Sequence, residues 1–431
     1  MLLPLCPTFT RAHAKLLLFA LALTLGCGDG YIGRECPPGS PDCAEPGQGS
    51  QVESLEVSFQ EYPPVDLAPF KVTGSISTDA CNATCASDAG LLLPATGDGV
   101  WSLPRGGQPS RLQLLGADGG LEERLVPPPP PEPIADVKRF ATTNAAGDAV
   151  LRLQWDVARD RVAGPGRDEI AIVQTNGTVS RVTVDDSGSF TRLPLGVLPV
   201  PAGFLLFESV RGLAMQAQLV APDGSRSWQL RTLPREATAA GGAAAPIRSG
   251  GFMLAAHPLG SREASLGLLQ LTSSGTVARY AMPESAWRDV RMLALGGGEL
   301  DFALVAQADK QTALATSDGT GNLELVRFAL GREAVGVRIM RECYHAMTIN
   351  GFAKDPAGNL LVSTVGGDRR ESRPMICRYS TANVPHCFEG ERGTVLGEIV
   401  AISATTLYAA SGDQILRIEL PTEAADAGTV H

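Results

Sequence analysis

The chain has 431 residues, of which 44% are apolar, and its formal net charge is −10 at pH 7. This length and apolar content allow a large hydrophobic core in one long domain or in several. An acidic chain with only 5% aromatic residues lacks the basic surface that binds nucleic-acid phosphates and the aromatic platforms that stack on single-stranded bases. We therefore expect no nucleic-acid partner.

The N-terminal segment has the layout of an export signal. A basic region precedes an apolar run from Leu16 to Leu25, which at about ten residues is too short for a membrane-spanning helix of about 20. Cleavage after Ala22 would leave an apolar core of only about four to six residues, which is short for a signal peptide. We predict that residues 1–26 are the signal peptide.

The end of that run, Gly26-Cys27, resembles the bacterial lipoprotein signal, in which a small residue precedes a cysteine that becomes lipidated and N-terminal. The resemblance implies that Cys27 is the lipidation site and that the mature chain is held on a membrane of the cell envelope by its acyl chains. In this family an aspartate after the cysteine favours retention in the inner membrane. Gly28 occupies that position, so the outer membrane is favoured.

The composition of the following residues divides the chain. Residues 27–54, rich in Pro, Gly and Ser, are typical of a flexible tether. Residues 55–421 carry the strand patterns described next, and residues 422–431 are predicted to be a disordered tail.

Seven predicted hairpins follow one another along residues 55–421. In each, a glycine preceded by Asp, Asn, Ser or Gly separates two apolar strands, which is a strong hairpin signal. These glycines are Gly99, Gly177, Gly224, Gly275, Gly319, Gly367 and Gly412. Their spacings are 78, 47, 51, 44, 48 and 45 residues, and a period in the forties is typical of the four-stranded blades of a β-propeller.

The sequence therefore predicts an all-β protein, a β-propeller of seven blades that are four-stranded antiparallel sheets. We attribute the long first interval to a Pro-rich insertion at 117–133, because consecutive prolines cannot lie inside a sheet. Residues 55–59 are a candidate strand that completes the last blade and closes the ring. The alternative is a β-sandwich or a two-domain all-β protein, which also shows strands separated by regular turn signals.

Two segments resemble known propeller repeats. Residues 355–364 (DPAGNLLVST) resemble the blades of bacterial sensor-type and NHL-like propellers. Residues 156–182 resemble an integrin-type FG-GAP repeat, in which loop acids bind calcium. The matching acids here are Asp156, Asp160 and Asp168, fewer oxygen ligands than the six or more that calcium prefers, so calcium is a weak candidate and we expect no other metal or cofactor.

Seven cysteines remain after signal removal and lipidation of Cys27. In an oxidising compartment disulfides are the default, and the candidate pairs are Cys36–Cys43, Cys81–Cys85 and Cys377–Cys387, with Cys343 left unpaired or acting as an alternative partner. Cys343, Cys377 and Cys387 lie close in sequence to His345 and His386, but their spacing is not that of a usual zinc site.

No G-x-S-x-G, H-E-x-x-H or phosphate-binding P-loop pattern occurs in the sequence, so it names no catalytic residue. We also attribute the predominance of arginine over lysine to GC-rich coding, not to a phosphate site. The resulting hypothesis is a monomeric, membrane-anchored binding or scaffold lipoprotein that recognises a protein or glycan through propeller loops. The alternative is a hydrolase or lyase with its site at the mouth of the central channel.

Overall fold

A computed structural model describes most of the chain between Val52 and Pro421. The described residues are 52–54, 57–62, 67–78, 91–103, 111–125, 134–159, 162–185, 192–200, 203–210, 214–230, 244–246, 252–256, 267–271, 277–281, 286–295, 302–309, 321–328, 334–339, 348–366 and 373–421. The predictions for Cys27, Cys36, Cys43, Cys81, Cys85, Asp160, Cys343 and the tail lie outside them.

Every regular element among the described residues is a β-strand. The strands before the first complete sheet are β1 (Val52–Ser54), β2 (Val57–Tyr62), β3 (Ala68–Pro69) and β4 (Lys71–Ser77). The next twelve are β5 (Leu91–Pro94), β6 (Val100–Leu103), β7 (Arg111–Leu115), β8 (Leu121–Leu125), β9 (Ile134–Thr143), β10 (Ala149–Arg159), β11 (Val162–Val173), β12 (Val179–Asp185), β13 (Arg192–Val200), β14 (Gly203–Val210), β15 (Ala214–Val220) and β16 (Arg226–Leu230). The remaining fifteen are β17 (Ala244–Pro246), β18 (Phe252–Ala256), β19 (Gly267–Leu271), β20 (Val277–Ala281), β21 (Ala286–Ala294), β22 (Phe302–Asp309), β23 (Gly321–Phe328), β24 (Ala334–Ile339), β25 (Thr348–Lys354), β26 (Leu360–Gly366), β27 (Arg373–Tyr379), β28 (Pro385–Glu389), β29 (Ile399–Ala401), β30 (Thr406–Ser411) and β31 (Gln414–Glu419).

From β5 onward, strands that follow one another in the chain pair antiparallel in groups of four, and the last group, β29–β31, takes its fourth strand from β4. We number the resulting sheets 1 to 7 in chain order. The first strand of each sheet contacts the first strand of the next, from β5 through β9, β13, β17, β21 and β25 to β29, and β29 contacts β5 again. This closed ring of sheets is a β-propeller and not a sandwich, which confirms the predicted fold class. Seven sheets occur among the described residues, and seven blades for the complete chain stays a prediction.

The predicted hairpins at Gly99, Gly177, Gly224 and Gly412 each join consecutive strands of one sheet, whereas Gly275, Gly319 and Gly367 lie outside the described residues. The turn at Gly177 shows why glycine is needed, because its φ is 88°, in the left-handed region that other residues rarely adopt. The hydrogen bonds run from Gly177 N to Gln174 O and from Gln174 N to Thr178 O, so a tight turn is followed by a glycine bulge.

The N-terminal strands run along the outside of the ring, and we call the described residues from β1 to β4 the strap. Strands β1, β2 and β3 lie parallel to β20, β24 and β28, the outer strands of sheets 4, 5 and 6, and β4 pairs antiparallel with β31 in sheet 7. The strap thereby covers the outer edges of four successive sheets, which are otherwise open to pairing with other chains.

Three sequence-based boundaries need correction. The strand predicted at 55–59 does not close the ring, because Val57–Tyr62 is a fifth strand on β24 and β4 completes sheet 7. Residues 52–54 of the predicted tether form β1. The predicted insertion at 117–133 overlaps a regular turn and β8. The interval of 78 residues arises because Gly99 lies in the first hairpin of sheet 1 and Gly177 in the last hairpin of sheet 2.

The hydrophobic core lies between neighbouring sheets. Trp101 and Leu112 of sheet 1 pack against Leu153 and Trp155 of sheet 2, and all four side chains are fully buried. Large aromatic groups contribute much of the buried apolar area in such seams. Comparable clusters join sheets 6 and 7 and sheets 7 and 1, so the ring is held together by side chains that face the adjacent sheet.

Candidate functional site

The two ends of the ring differ because of the strand order within each sheet. When four consecutive strands pair antiparallel, the connections between the first and second and between the third and fourth strands lie at one end. The connections between the second and third strands, and those from one sheet to the next, lie at the other end. We call these ends the turn face and the connector face.

The described part of the turn face consists of short turns that are fixed by hydrogen bonds. In five of them a side-chain oxygen accepts from a backbone N–H two or four residues further on, a local arrangement for which Asp and Asn are suited. The acceptors are Asp118, Asn144, Asn176, Asp223 and Asp355, at 2.8 to 3.0 Å. Two hydrogen bonds from Ser225, mainly the one from its hydroxyl and also the one from its backbone N–H, hold the pKa of the exposed Asp223 carboxyl below its ordinary value.

Arginines tie the turn face together from sheet to sheet. Arg124 of sheet 1 donates to Thr175 O of sheet 2 at 3.1 Å, Arg327 of sheet 5 donates to Ser380 O of sheet 6 at 3.0 Å, and Arg378 of sheet 6 donates to Ala404 O of sheet 7 at 2.8 Å. Each acceptor is a carbonyl in a turn of the following sheet. A hydrogen bond from a charged donor contributes roughly 1.5–3 kcal/mol, so these contacts stiffen this end of the ring.

Sequence reasoning did not find these arginines. Their acceptors are backbone carbonyls in another sheet, and no local pattern marks such an acceptor. Arginine abundance by itself, which we attributed to coding bias, gave no sign of their role. In the structure at least these three guanidinium groups are part of the framework.

Most of the longer stretches of sequence between strands separate strand ends that lie at the connector face. Its strand ends are joined by residues 79–90, 231–243, 257–266 and 310–320, among others. One described connection, 390–398, leads from sheet 6 to sheet 7 and exposes Glu391 and Val395. Because connections on a rigid scaffold carry most binding residues, the connector face is the candidate recognition surface.

The inner strands bring one acid and one arginine together. Arg291 on β21 of sheet 5 lies 3.5 Å from the carboxylate of Glu398, which immediately precedes β29 of sheet 7. Gly351 on β25 lies beside them, and a Cβ there would be 3.0 Å from the Glu398 Cα and 2.8 Å from Ile399 N. Because residue 351 has no side chain, the backbone of sheet 7 can approach β25 closely. The opposite charges of Arg291 and Glu398 neutralise each other on the inner strands.

Of the three acids in the weak calcium prediction, the structure describes the side-chain contacts of Asp168 alone. Asp168 is buried, and both of its oxygens accept from Arg152, at 3.1 and 2.6 Å. Asp156 lies on β10 opposite Pro165, and Asp160 lies outside the described residues. The two oxygens of a buried aspartate that is paired with one arginine are occupied by that ion pair. Among the residues with described side chains, no three His, Cys, Asp or Glu residues form a group that could hold a metal ion.

The structure describes one of the predicted disulfide pairs. Cys377 on β27 and Cys387 on β28 lie directly opposite each other and form a disulfide, buried in the seam between sheets 5 and 6. This confirms the predicted pair and removes Cys343 as a partner for either cysteine. It also removes both sulfurs from the zinc arrangement, because a disulfide sulfur is not a thiolate ligand.

No helix among the described residues has the length and apolar character needed to cross a membrane. No protein-family model matches the sequence, and no curated protein is significantly similar to it.

Solved structures with a similar arrangement include a protein of unknown function from Dyadobacter fermentans, with 10% identity and a TM-score of 0.44 over 82% of this chain and 99% of that one. A second is BBS1N solved in complex with ARL6DN, with 10% identity and a TM-score of 0.43 over 83% and 99%. A third is the gluconolactonase XC5397 from Xanthomonas campestris, with 13% identity and a TM-score of 0.32 over 69% and 100%. These similarities assign neither a family nor an activity, and the propeller assignment rests on the ring of sheets itself.

Proposed function

We propose that this protein is a lipid-anchored propeller of the bacterial cell envelope that binds a protein or a glycan through its connector face and has no catalytic activity. The observation that carries the proposal is the difference between the two ends of the ring. In the described residues one end is fixed by side-chain-capped turns and arginine contacts, whereas most of the longer stretches of sequence between strands begin and end at the other. A rigid support that carries long connections suits recognition.

The proposed anchor rests on the sequence Gly26-Cys27 after the apolar run. Each buried methylene group contributes about 0.8 kcal/mol, so the several acyl chains on a lipoprotein cysteine hold the protein permanently for practical purposes. Gly28, in place of the aspartate that favours inner-membrane retention in this family, supports the outer membrane.

The anchor is tested by intact mass spectrometry of the mature protein extracted from membranes. The expected mass is that of a chain beginning at Cys27 with its acyl chains attached. Cys27→Ser should release the protein from the membrane fraction. The control Cys6→Ser, which falls in the predicted signal peptide, should leave both mass and location unchanged. A membrane-bound Cys27→Ser protein would contradict the anchor.

The recognition surface is tested by photo-crosslinking in intact cells. A photoreactive residue is placed at Glu391 on the connector face or at Gln174 on the turn face, both exposed. A crosslinked protein or glycan is expected from position 391 and none from position 174. Crosslinks of equal yield from both positions, or from position 174 alone, would show that the connector face is not the recognition surface.

The enzyme alternative requires acids, or a histidine with a cysteine, that converge at one mouth of the channel. Among the residues with described side chains, Glu398 on the inner strands is paired with Arg291, and Cys387 beside His386 is bonded to Cys377. Our proposal includes no cofactor. The absence of a calcium site is tested by the thermal unfolding temperature, which should be the same with added calcium and with a calcium chelator.

A further inference from the structure

The described strands of the strap pair with strands that lie far away in the sequence. Val52 is opposite Arg279, Val57 is opposite Ala334, and Gly74 is opposite Arg417. Among the described residues, each strand of the strap pairs with the outer strand of one of sheets 4 to 7. The strap therefore docks along a surface formed by the rest of the ring, and we call the outer edges of β20, β24, β28 and β31 the acceptor track.

The ring closes through other contacts. The inner strands β29 and β5 contact each other directly, and the buried cluster between sheets 7 and 1 consists of Leu92, Val100, Leu115, Val400, Tyr408, Ala410 and Ile415. The strap adds only Ile76 at the margin of that cluster. Since Ile76 lies only at the margin of this cluster, closure of the ring between sheets 7 and 1 does not depend on the strap.

One side chain gives the strap its specificity for this track. Phe70, between β3 and β4, is buried, and its backbone N–H donates to Glu389 O at 3.0 Å. Its ring lies over Gly390, where a Cβ would come within 2.2 Å of the ring. The aromatic ring thus fits a site that only glycine leaves open, which fixes the position of the strap along the track.

We infer that the acceptor track binds the strap of a second copy of this chain in place of its own. Two copies can thereby exchange straps and form a dimer. The exchanged dimer has the same strand pairing and the same Phe70 contact as the monomer. Its population is therefore set by the connection 79–90 and by concentration. A short connection holds the chain's own strap at an effective concentration of about millimolar, so the exchanged form is a minor species at ordinary concentrations. The inference does not depend on the proposed function.

The register between β4 and β31 provides a covalent trap. A Cβ built at Gly74 lies 3.8 Å from the Cβ of Arg417, which matches the separation found in disulfides. Two full-length chains with different C-terminal tags are co-expressed and exported, one carrying Gly74→Cys and the other Arg417→Cys. Each chain has one member of the pair, so a bond between positions 74 and 417 can form only between copies.

The expected result is a heterodimer that carries both tags, disappears on reduction and yields a linked peptide joining positions 74 and 417. One chain carrying both substitutions should form the bond within the monomer, which checks the geometry. The matched control combines Gly74→Cys with Gln414→Cys, which lies opposite Ser77 and not Gly74, and should give no heterodimer. Lys71→Cys with Glu419→Cys, the pair at the other end of β4, is the second trap if the first variants fold poorly.

The inference is wrong if the single chain with both cysteines forms the bond while the two-chain mixture yields only monomers. It is equally wrong if the mismatched control gives as much heterodimer as the matched pair, because the dimer then forms by another contact. Failure of both traps in the single chain would contradict the strap register itself.

Discussion

Replacing Phe70 with alanine should loosen the strap at the boundary between sheets 6 and 7 while leaving the distant sheets unchanged. The Phe70 side chain is 6% exposed and belongs to the buried cluster that includes Leu361, Phe388 and Ile418. Removing a buried phenylalanine ring typically costs 3–5 kcal/mol. Because this ring sits on a segment that can move after the change, we expect about 3 kcal/mol, near the low end of that range.

The cost should appear as local opening, since the strap docks on an inner ring that closes by its own contacts. Hydrogen–deuterium exchange measured by mass spectrometry reports such openings segment by segment. At about 1.4 kcal/mol per factor of ten, the predicted change accelerates exchange in β4 by roughly 100-fold. Peptides from β10 in sheet 2 should keep their exchange rates and serve as the internal reference.

A double-mutant cycle with Gly390 tests whether the ring and the glycine act as one unit. Gly390→Ala alone places a Cβ 2.2 Å from the Phe70 ring and should cost about 1–3 kcal/mol through overpacking. In the Phe70→Ala background that clash is gone. The two changes together should therefore cost less than the sum of the separate costs, by at least about 1 kcal/mol.

The matched control is Val72→Ala on the same strand, because Val72 is 46% exposed and should change stability by no more than about 0.5 kcal/mol. The reasoning is refuted if Phe70→Ala leaves exchange in β4 unchanged, or if sheet 2 opens as readily as the strap. Additive costs for Phe70→Ala and Gly390→Ala would show that their contact is not what fixes the strap.

Three further predictions concern buried groups. Asp168→Ala should lower stability by about 3–5 kcal/mol in thermal or denaturant unfolding, because it leaves the buried Arg152 guanidinium without its carboxylate; a loss below 1 kcal/mol would contradict this. Replacing Cys377 and Cys387 together with alanine should cost about 2–3 kcal/mol, measured as a lower unfolding midpoint under non-reducing conditions, and an unchanged midpoint would contradict a structural role for this disulfide. Burial raises the pKa of the Tyr379 phenol, so the folded state favours the neutral form and its contribution to stability is lost as pH rises above the ordinary value of about 10. Tyr379→Phe should weaken that decline above pH 10 in unfolding curves, and an identical decline in both proteins would contradict the assignment.

Local sequence signals predicted the hairpins well because the cause of each hairpin is local. Gly177 and Gly224 follow Asn176 and Asp223, and the positive φ of each glycine and the side-chain cap just before it depend on adjacent residues alone. Regular spacing of such turns was enough to indicate repeated sheets. The Cys377–Cys387 pair was also a local prediction, because both cysteines flank one hairpin.

The strap was mispredicted for the opposite reason. The sequence of β4, KVTGSIS, has little apolar alternation, and nothing in it identifies β31 as its partner more than 300 residues later. Asp168 shows the same limit, because its sequence context resembles a calcium loop and only the tertiary structure places Arg152 against it.

The sequence by itself determined the export and lipidation prediction, the all-β class and the repeated hairpins, since each depends on residue types within a few positions of one another. Only the tertiary structure decided which strand completes sheet 7, which end of the ring is stiffened by Arg124, Arg327 and Arg378, and which charges on the inner strands neutralise each other. Those outcomes depend on contacts between distant segments, and such contacts are selected by the packing of the whole ring.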